Sequence, residues 1–417
     1  MHQKPGKINW IIILIYCILV FIGWASIYSS SFDPESSFEI LNTKTIYGKQ
    51  LLFIACSCIV SVFILLIDIK MITRLGYIVY FASIISLILV LFIGKEVGGA
   101  KAWFNFGSFG LQPAEFAKYG TILAISKFIH DKNIYLNKYI NTLKVCSFIL
   151  LPFLLILKQP DAGSALIYTS LIIMFFREGL QIKYIFFGVT SLLISLSTII
   201  VGVSATIIVL ILLHIGFAYL LQKHKKRFLP AFVTLIIGML IVGSVNYGYD
   251  NILQPHQKER IDIIIGKEKN NLGSGYNLNQ SLIAIGSGGF FGKGYLNGTQ
   301  TKFNFVPEQN TDFIFCTIGE EFGFTGSCII IMLFVTLIVK IILISEKQTS
   351  RFSRIYGYSL SAILFAHIVI NISMTLGIMP VIGIPLPFIS YGGSSLLSFS
   401  ILLFTFLKLD SYRIYRF

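Results

Sequence analysis

Long apolar segments recur along this chain and limit what it can fold into. A helix that crosses the hydrocarbon core of a bilayer needs about 17–25 consecutive apolar residues, and runs of that length return throughout the sequence. Charged residues make up only 12% of the chain, against 55% hydrophobic residues. Because a backbone in lipid must satisfy its own hydrogen bonds, helices suit such segments. The sequence therefore predicts an all-α, polytopic integral membrane protein.

Twelve membrane-spanning helices are predicted, with ten as the alternative. The run 162–177 is short, and a break near Gly202 divides one apolar stretch. The first run is long enough to span and is followed by no clear cleavage site, so it is expected to stay in the protein. Residues 1–417 are predicted to form one integral domain with a large extracytoplasmic loop at 248–311. The predicted spans are 9–29, 48–67, 74–93, 111–130, 142–158, 162–177, 183–201, 204–221, 228–247, 312–344, 354–376 and 386–408.

Basic residues between the spans predict the orientation of the chain. If the N-terminal Lys4 and Lys7 lie inside, every inner connection carries lysine or arginine, whereas the outer segments around Gly202 and 377–385 carry none. This asymmetry is the usual signal for cytoplasmic loops. Both termini are therefore predicted to be cytoplasmic. The net charge of +14 reflects these short connections, so no nucleic-acid partner is predicted.

Four polar segments lie at the predicted outer ends of spans, where charge is costly. In the first, Pro113 suits a helix start, and Glu115 and Lys118 share one helical face. These two residues form either an internal ion pair or a cation site for an anionic headgroup. In the second segment, Pro160 interrupts an apolar run, and Asp161 is expected at a helix N-cap.

The third segment, 279–321, is rich in glycine. Its glycines surround Lys293, but their spacing fits neither a phosphate loop nor a dinucleotide-binding fingerprint. A compact outer loop that re-enters the interface is predicted instead. Asn310 or Thr311 is expected to cap a helix that begins near Asp312, where an acid suits the helix dipole.

Two further acids follow in the same segment. Glu320 and Glu321 lie about two helical turns beyond Asp312, so they are expected to face protein or water. The fourth segment, 379–395, contains proline and glycine at a density that predicts broken or re-entrant backbone lining a cavity. The six histidines of the chain show no metal-ligand spacing, and His367 is interpreted as a packed or hydrogen-bonded residue.

Together, these segments resemble the SEDS family (shape, elongation, division, sporulation) of bacterial cell-wall polymerases over nearly the whole chain. The motifs that carry the resemblance are GAKAWF with QPAEFAK, QPDAGSAL, the segment from NQSLIAIGSGG to TDFIFCTIGEEFG, and GIMPVIGIPLPFISYGGSS. The NGTQ segment is more similar to the rod-shape branch than to the division branch. Two helices between Lys183 and Tyr247 are extra against the ten usual in the family.

The resemblance implies an inverting peptidoglycan glycosyltransferase, active during cell elongation. It would polymerise lipid II at the outer face of the bacterial inner membrane and release undecaprenyl pyrophosphate. The TDFIF motif makes Asp312 the expected general base. Glu115 and Lys118 complete the expected catalytic set, and Lys118 with Lys101 would stabilise charge on the pyrophosphate. Residues expected to bind substrate are Lys101, Trp103, Gln112, Lys293, Gln300, Glu308 and Ser390.

The resemblance also implies partners and leaves one cofactor open. Lipid II, a class B penicillin-binding transpeptidase and other elongation-complex proteins are the expected partners. A divalent cation, Mg²⁺ or Mn²⁺, could share the pyrophosphate charge, although the sequence shows no metal ligand set. Many family members carry arginine where this chain has Ala102, which leaves Lys101 as the nearby cation.

Two other function classes stay open at the level of sequence. A lipid II flippase would need charged groups along a route through both leaflets, whereas surface chemistry needs them near one leaflet only. A scaffold without catalysis would require the charged segments to be incidental.

Overall fold

The computed structural model is predominantly helical. It describes residues 6, 8–32, 42–107, 109–223, 229–251, 253–267, 274–303 and 305–413. Within these ranges the helices are α1 (Trp10–Ser30), α2 (Ile46–Leu66), α3 (Ile69–Ile93), α4 (Pro113–Asp131), α5 (Tyr139–Lys158), α6 (Ala162–Thr169), α7 (Ile172–Arg177), α8 (Ile182–Ile200), α9 (Val203–Lys223), α10 (Leu229–Asn251), α11 (Pro255–Ile265), α12 (Ser274–Gly288), α13 (Thr299–Lys302), α14 (Ile314–Glu346), α15 (Arg351–Thr375) and α16 (Gly393–Ser411).

The predicted polytopic helical architecture is confirmed. Ten of the described helices are long and apolar enough to cross a membrane, namely α1, α2, α3, α5, α8, α9, α10, α14, α15 and α16. The predicted spans 111–130 and 162–177 correspond to α4, which carries more charge, and to the short pair α6 and α7. The number of spans, twelve with ten as the alternative, stays a prediction.

A small antiparallel sheet was not expected in an all-α chain. Strands β1 (Lys95–Val97), β2 (Ala100–Phe106) and β3 (Phe109–Leu111) lie between α3 and α4 in the order β1-β2-β3. Gly98 and Gly99 both have positive φ, +61° and +82°, and connect the paired residues Val97 and Ala100. Two such residues suit a tight hairpin turn, so the glycines direct this connection into strands.

Packing divides the chain into two compact units, residues 1–179 with 271–417 and residues 180–270. The second unit contains α8, α9 and α10, which pack on one another, and also α11. The assignment of 1–417 to one domain stays a prediction. The predicted outer loop, 248–311, contains α11, α12 and α13, so much of it is helical; its position outside the membrane also stays a prediction. Residues 252, 268–273 and 304 of that loop lie outside the described residues.

Helix α15 is the most buried span of the first unit. In an apolar stretch of 18 residues of this helix, 83% of the residues are buried. The helix packs against α4, α14 and α16. Small residues such as Gly357, Ser361 and Ala362 are buried along it, as is common where helices approach closely in a membrane. Helix α15 therefore provides a central support for the polar residues near its C-terminal end.

Helix α14 is broken at Gly323, where φ is 62° and ψ is −156°. The break frees backbone groups of α14. The glycine-rich loop, residues 289–298 between α12 and α13, hydrogen-bonds to them. Phe324 N donates to Gly289 O at 3.0 Å, and Lys293 N donates to Glu320 O at 3.0 Å. Since membrane-embedded backbone must find partners within the protein, the loop and the broken helix depend on each other.

The opposite end of the first unit carries a basic cluster. Buried Glu178 forms ion pairs with Arg351 and Arg354, each at 3.0 Å. Arg177 also pairs with Glu346. This end is the one predicted to be cytoplasmic, whereas Lys4 and Lys7, which entered that prediction, lie outside the described residues.

Replacement of Gly288 by alanine is expected to destabilise the protein. A Cβ at Gly288 would lie 2.0 Å from the backbone oxygen of Gly319, so α12 and α14 would have to separate. Overpacking of this kind costs about 1–3 kcal/mol. Thermal unfolding of the purified protein in detergent should show a lowered midpoint.

The matched control is Gly286→Ala in the same helix. A Cβ there meets nothing within 4 Å, and alanine favours helix by roughly 1 kcal/mol over glycine. The midpoint of this variant should be unchanged or higher. Equal midpoints for both variants would contradict the close approach at Gly288.

Candidate functional site

The Glu115–Lys118 pair lies inside the protein near the start of α4. Pro113 occupies the first turn of that helix, as predicted. Lys118 Nζ lies 2.8 Å from Glu115 Oε1, and the side chains are 0% and 2% exposed. Ser398 of α16 donates to the backbone oxygen of Glu115 at 2.7 Å. The internal ion pair, one of the two alternatives that the sequence left open, is therefore present and is held by a neighbouring helix.

A second partner of Lys118 comes from α15. Lys118 Nζ lies 2.8 Å from His367 Nε2, and His367 Nδ1 lies 3.3 Å from the backbone oxygen of Pro385. Both residues are almost fully buried. Lysine ammonium has donors only, so Nε2 accepts and the ring proton lies on Nδ1. His367 thus joins α4 to the connection between α15 and α16.

Asp312 lies in a turn directly before α14 and is half-buried. Asn371, one helical turn after His367 on α15, donates through Nδ2 to the backbone oxygens of Asp312 and Ile384, both at 2.7 Å. A Cβ at Gly383, where φ is +73°, would lie 3.2 Å from Asp312 Oδ2. Glycine therefore lets the connection approach the Asp312 carboxylate closely.

The segment 376–392 between α15 and α16 fixes the same turn. It is non-helical, as the proline and glycine pattern predicted for 379–395, although the last three residues of that prediction begin α16. Ser390 Oγ donates to the backbone oxygen of Thr311 at 2.7 Å and accepts from Leu386 N at 2.8 Å. Tyr391 N donates to the backbone oxygen of Asn310 at 2.8 Å. The contacts of Ser390, a residue expected to bind substrate, thus hold the backbone that carries Asp312.

The expected cap of α14 is absent from the structure. The helix begins at Ile314, its N-cap residue is Phe313, and no side chain caps it. Neither Asn310 nor Thr311 therefore serves as the cap. Phe313 N donates instead to the backbone oxygen of Glu308 at 3.1 Å, because the chain forms a turn before it enters the helix. That turn leaves Asp312 outside the first helical turn.

Gln112 connects α4 to the start of α6. Its Nε2 donates to Asp161 Oδ2 at 2.8 Å, and Asp161 Oδ1 accepts from Ser164 N at 2.9 Å. Asp161 is thus the N-cap of α6, as predicted. A Cβ at Gly163 would lie 2.8 Å from the backbone oxygen of Ile382, so α6 packs directly on the segment 376–392.

Glu320 is the acceptor for the start of α13. Its carboxylate oxygens accept from the backbone N–H groups of Thr299, Gln300 and Thr301 at 2.8, 2.9 and 3.0 Å. Lys293 Nζ lies 2.7 Å from Glu320 Oε1. An acid is favourable at a helix N-terminus, so this buried carboxylate is satisfied. Lys293 and Gln300, expected to bind substrate, both contact Glu320.

Glu321 connects α1 to the glycine-rich loop. Its Oε1 accepts from Ser29 Oγ and from Leu296 N. Tyr295 Oη, in the same loop, donates to the backbone oxygen of Ala25 at 3.2 Å. Burial, aided by the nearby charge of Glu321, raises the pKa of the Tyr295 hydroxyl to about 12, so this hydroxyl keeps its proton. Glu321 is therefore a structural link between distant segments.

Three other residues that were expected to bind substrate have their own local contacts. Lys101 Nζ donates to the backbone oxygen of Phe92, at the end of α3, at 3.0 Å. Trp103 lies on β2, and its ring is 3.1 Å from where a Cβ at Gly110 would be. Glu308 is exposed, and its Oε2 accepts from Thr311 Oγ1 at 2.8 Å.

The structure thus brings four predicted outer segments to one end of the bundle. Asp312 and the Glu115–Lys118 pair are joined through α15 and segment 376–392, by contacts of His367 and Asn371. These two connecting residues were not predicted as site residues. Their spacing of four positions on one helical face was the only local signal, since their partners lie far away in sequence. The roles assigned to the site residues stay predictions.

Comparison with known proteins identifies the family. The family model described as cell cycle protein, which covers FtsW, RodA and SpoVE, matches residues 9–207 and 201–414. The chain belongs to the SEDS family. The peptidoglycan glycosyltransferase RodA of Treponema pallidum is 31% identical, over 93% of this chain and 94% of that protein. The peptidoglycan glycosyltransferase MrdB of Escherichia coli is 33% identical, over 76% of this chain and 73% of that protein.

Solved structures show that the SEDS fold is shared. A chain from a peptidoglycan synthase complex, described as coordinating polymerization and crosslinking, has a TM-score of 0.72 at 22% identity. RodA of Thermus thermophilus has a TM-score of 0.62, also at 22% identity. Each comparison covers 98% of this chain and 98% of the other. The predicted family and fold are therefore confirmed.

Replacement of Glu320 by glutamine is expected to loosen the start of α13. Glutamine keeps the shape but turns an amide donor toward backbone N–H groups, and a buried group left unsatisfied costs about 1–3 kcal/mol. Hydrogen–deuterium exchange of residues 293–302 should become faster. Thermal unfolding of the variant should begin at a lower temperature.

The control for this change is Glu308→Gln. Glu308 is exposed, and surface substitutions usually change stability by less than about 0.5 kcal/mol. Unchanged exchange in Glu320→Gln would show that the carboxylate is not needed to hold the loop.

Proposed function

We propose that the chain is a peptidoglycan glycosyltransferase that polymerises lipid II at the outer face of the membrane. The observation that carries the proposal is the joining of the Asp312 turn to the buried Glu115–Lys118 pair through α15 and segment 376–392. Relatives named as peptidoglycan glycosyltransferases cover most of the chain. Their family membership and this geometry support the same reaction.

Asp312 is the proposed general base. In the reaction, the 4-hydroxyl of one disaccharide attacks C1 of the other sugar, and the bond between C1 and the pyrophosphate oxygen breaks with inversion. The Asp312 carboxylate accepts the hydroxyl proton, while undecaprenyl pyrophosphate leaves with the bonding electron pair. A base must lie within hydrogen-bond reach of this proton. The partial exposure of Asp312 and its fixed backbone suit that requirement.

Lys118 is the proposed source of positive charge behind the reacting groups. Because its ammonium is fully buried, its field acts through protein of low effective dielectric, where charges interact more strongly than in water. Glu115 keeps this cation tolerable inside the bundle. Lys101, which is partly exposed, is the second cation proposed to stabilise the pyrophosphate.

A resident divalent cation fits the described residues poorly. No group of three or more His, Cys, Asp or Glu that could hold a metal ion occurs among them, and Glu115 is already paired with Lys118. No step of the proposed mechanism is therefore assigned to Mg²⁺ or Mn²⁺. The expectation that such an ion shares the pyrophosphate charge stays a prediction.

The proposed setting is a cell-wall synthase complex in the bacterial inner membrane, with both termini cytoplasmic. The similarity to a chain of a peptidoglycan synthase complex supports a transpeptidase partner. A class B penicillin-binding protein is the proposed partner, with other elongation-complex proteins around it. The basic cluster of Arg177, Arg351 and Arg354 at the opposite end from Asp312 agrees with this orientation.

Polymerisation is favoured over lipid II flipping. The charged residues of the site lie at one end of the bundle. Asp312 lies near the start of α14, Glu115 and Lys118 near the start of α4, and Asp161 at the break between α5 and α6. Surface chemistry needs polar groups at one leaflet. A flippase needs a polar route through both leaflets, so the observed clustering supports the enzyme.

The Asp312→Asn variant is expected to fold and to lose polymerisation. Asparagine keeps the size of the side chain but cannot accept the hydroxyl proton as a carboxylate does. Loss of a general base lowers the rate by about 10²- to 10⁴-fold. The measurement is gel analysis of glycan strands made from lipid II by purified protein with its transpeptidase partner.

Asp131→Asn is the matched control, since Asp131 is partly exposed at the other end of α4. This variant should make strands at the wild-type rate. Normal synthesis by folded Asp312→Asn would exclude the proposed base, and transport without polymerisation by the wild type would support the flippase.

A further inference from the structure

We propose that His367 is a positioning residue that orients the Lys118 ammonium for polymerisation. The inference rests on the proposed function and concerns a residue of α15 outside the predicted catalytic set. His367 is placed to act on Lys118 rather than on substrate, because it is 1% exposed and its ring nitrogens contact protein groups.

The environment of Lys118 leaves the ammonium with two strong directional contacts. Glu115 Oε1 and His367 Nε2 each lie 2.8 Å from Nζ. The Phe399 ring lies below the ammonium, with its centroid 5.0 Å from Nζ. The same ring meets His367 edge to face, with centroids 4.8 Å apart. An acid, a neutral acceptor and an aromatic face together fix the cation.

Histidine supplies an acceptor without adding negative charge. A second carboxylate at this position would neutralise the ammonium that the reaction uses, whereas an apolar side chain would leave one donor of a buried lysine without its partner. An unsatisfied buried donor is costly, and a flexible lysine would relax toward Glu115 alone. The neutral imidazole therefore orients Lys118 while preserving its charge.

His367 also relates Lys118 to the segment that faces Asp312. Its Nδ1–H donates to the backbone oxygen of Pro385, whose neighbour Ile384 accepts from Asn371. Asn371 in turn holds the backbone of Asp312. The position of the cation and the position of the proposed base are thus set by two residues one turn apart on one helix.

The test compares three variants at position 367 in the lipid II polymerisation assay with the transpeptidase partner. His367→Gln can accept from Lys118 and donate to Pro385, so it should keep most of the wild-type rate. His367→Leu lacks both functions, and His367→Asn is too short to reach both partners. These two variants should lose about 10²-fold in kcat, the scale of a misplacement near 1 Å, with little change in KM.

A matched control and a double variant separate positioning from general damage. His214→Leu makes the same substitution in α9 of the other unit and should leave the rate unchanged. If His367 acts only through Lys118, the loss in Lys118→Gln/His367→Leu should be no greater than the loss in Lys118→Gln alone. Thermal unfolding identifies any variant that fails to fold, and His367→Asn decides the matter if His367→Leu does not fold.

The outcomes distinguish this inference from the proposed function. Absence of glycan strands from wild-type protein with its partner would overturn the proposed function itself. An active wild type with equally active His367→Asn, or with His367→Gln as impaired as His367→Asn, would overturn the positioning role. Rescue by glutamine together with loss in asparagine would support it.

Discussion

Polar groups within a bilayer must find partners inside the protein, and this constraint shapes the functional end of the molecule. The break at Gly323 would expose backbone groups of α14, but the glycine-rich loop hydrogen-bonds to them. Glu320 would be a buried charge, but Lys293 and the N-terminus of α13 satisfy it. The same loop therefore satisfies both the broken helix and the acid. Loss of the loop would leave both the freed backbone groups and the Glu320 carboxylate without these partners.

The same constraint explains why the site is assembled around α15. A lone lysine in the interior would be unfavourable. Lys118 is therefore paired with Glu115 of its own helix and contacts His367 of α15. The Asp312 turn also needs partners, because it is not part of the helix that follows it. Asn371 provides one of them from the same face of α15. A buried helix that carries both His367 and Asn371 can thus set both halves of the site.

Local sequence patterns predicted contacts between residues close in sequence. They did not predict contacts between segments that are distant in sequence. Asp161 was predicted as an N-cap, and the Glu115–Lys118 ion pair was one of two alternatives, since each contact lies within a few residues. The role of Glu320 could not be predicted, because the backbone N–H groups that donate to its carboxylate belong to α13, about 20 residues earlier. His367 meets a lysine 249 positions away, which no periodicity in the sequence reveals. The motifs gave the family and the candidate residues, but not the helix that connects them.

The second unit contains the region where two helices are expected to be extra against the ten usual in the family. The family model matches the chain in two segments, 9–207 and 201–414, that meet within the α8–α10 region. Helices α8, α9 and α10 pack mainly on one another in a separate compact unit, and few of their residues are buried. An added pair of helices crosses the membrane and returns, so it preserves the side on which the following segments lie. The residues around Asp312 can therefore keep their shared end of the bundle whether the chain has ten spans or twelve.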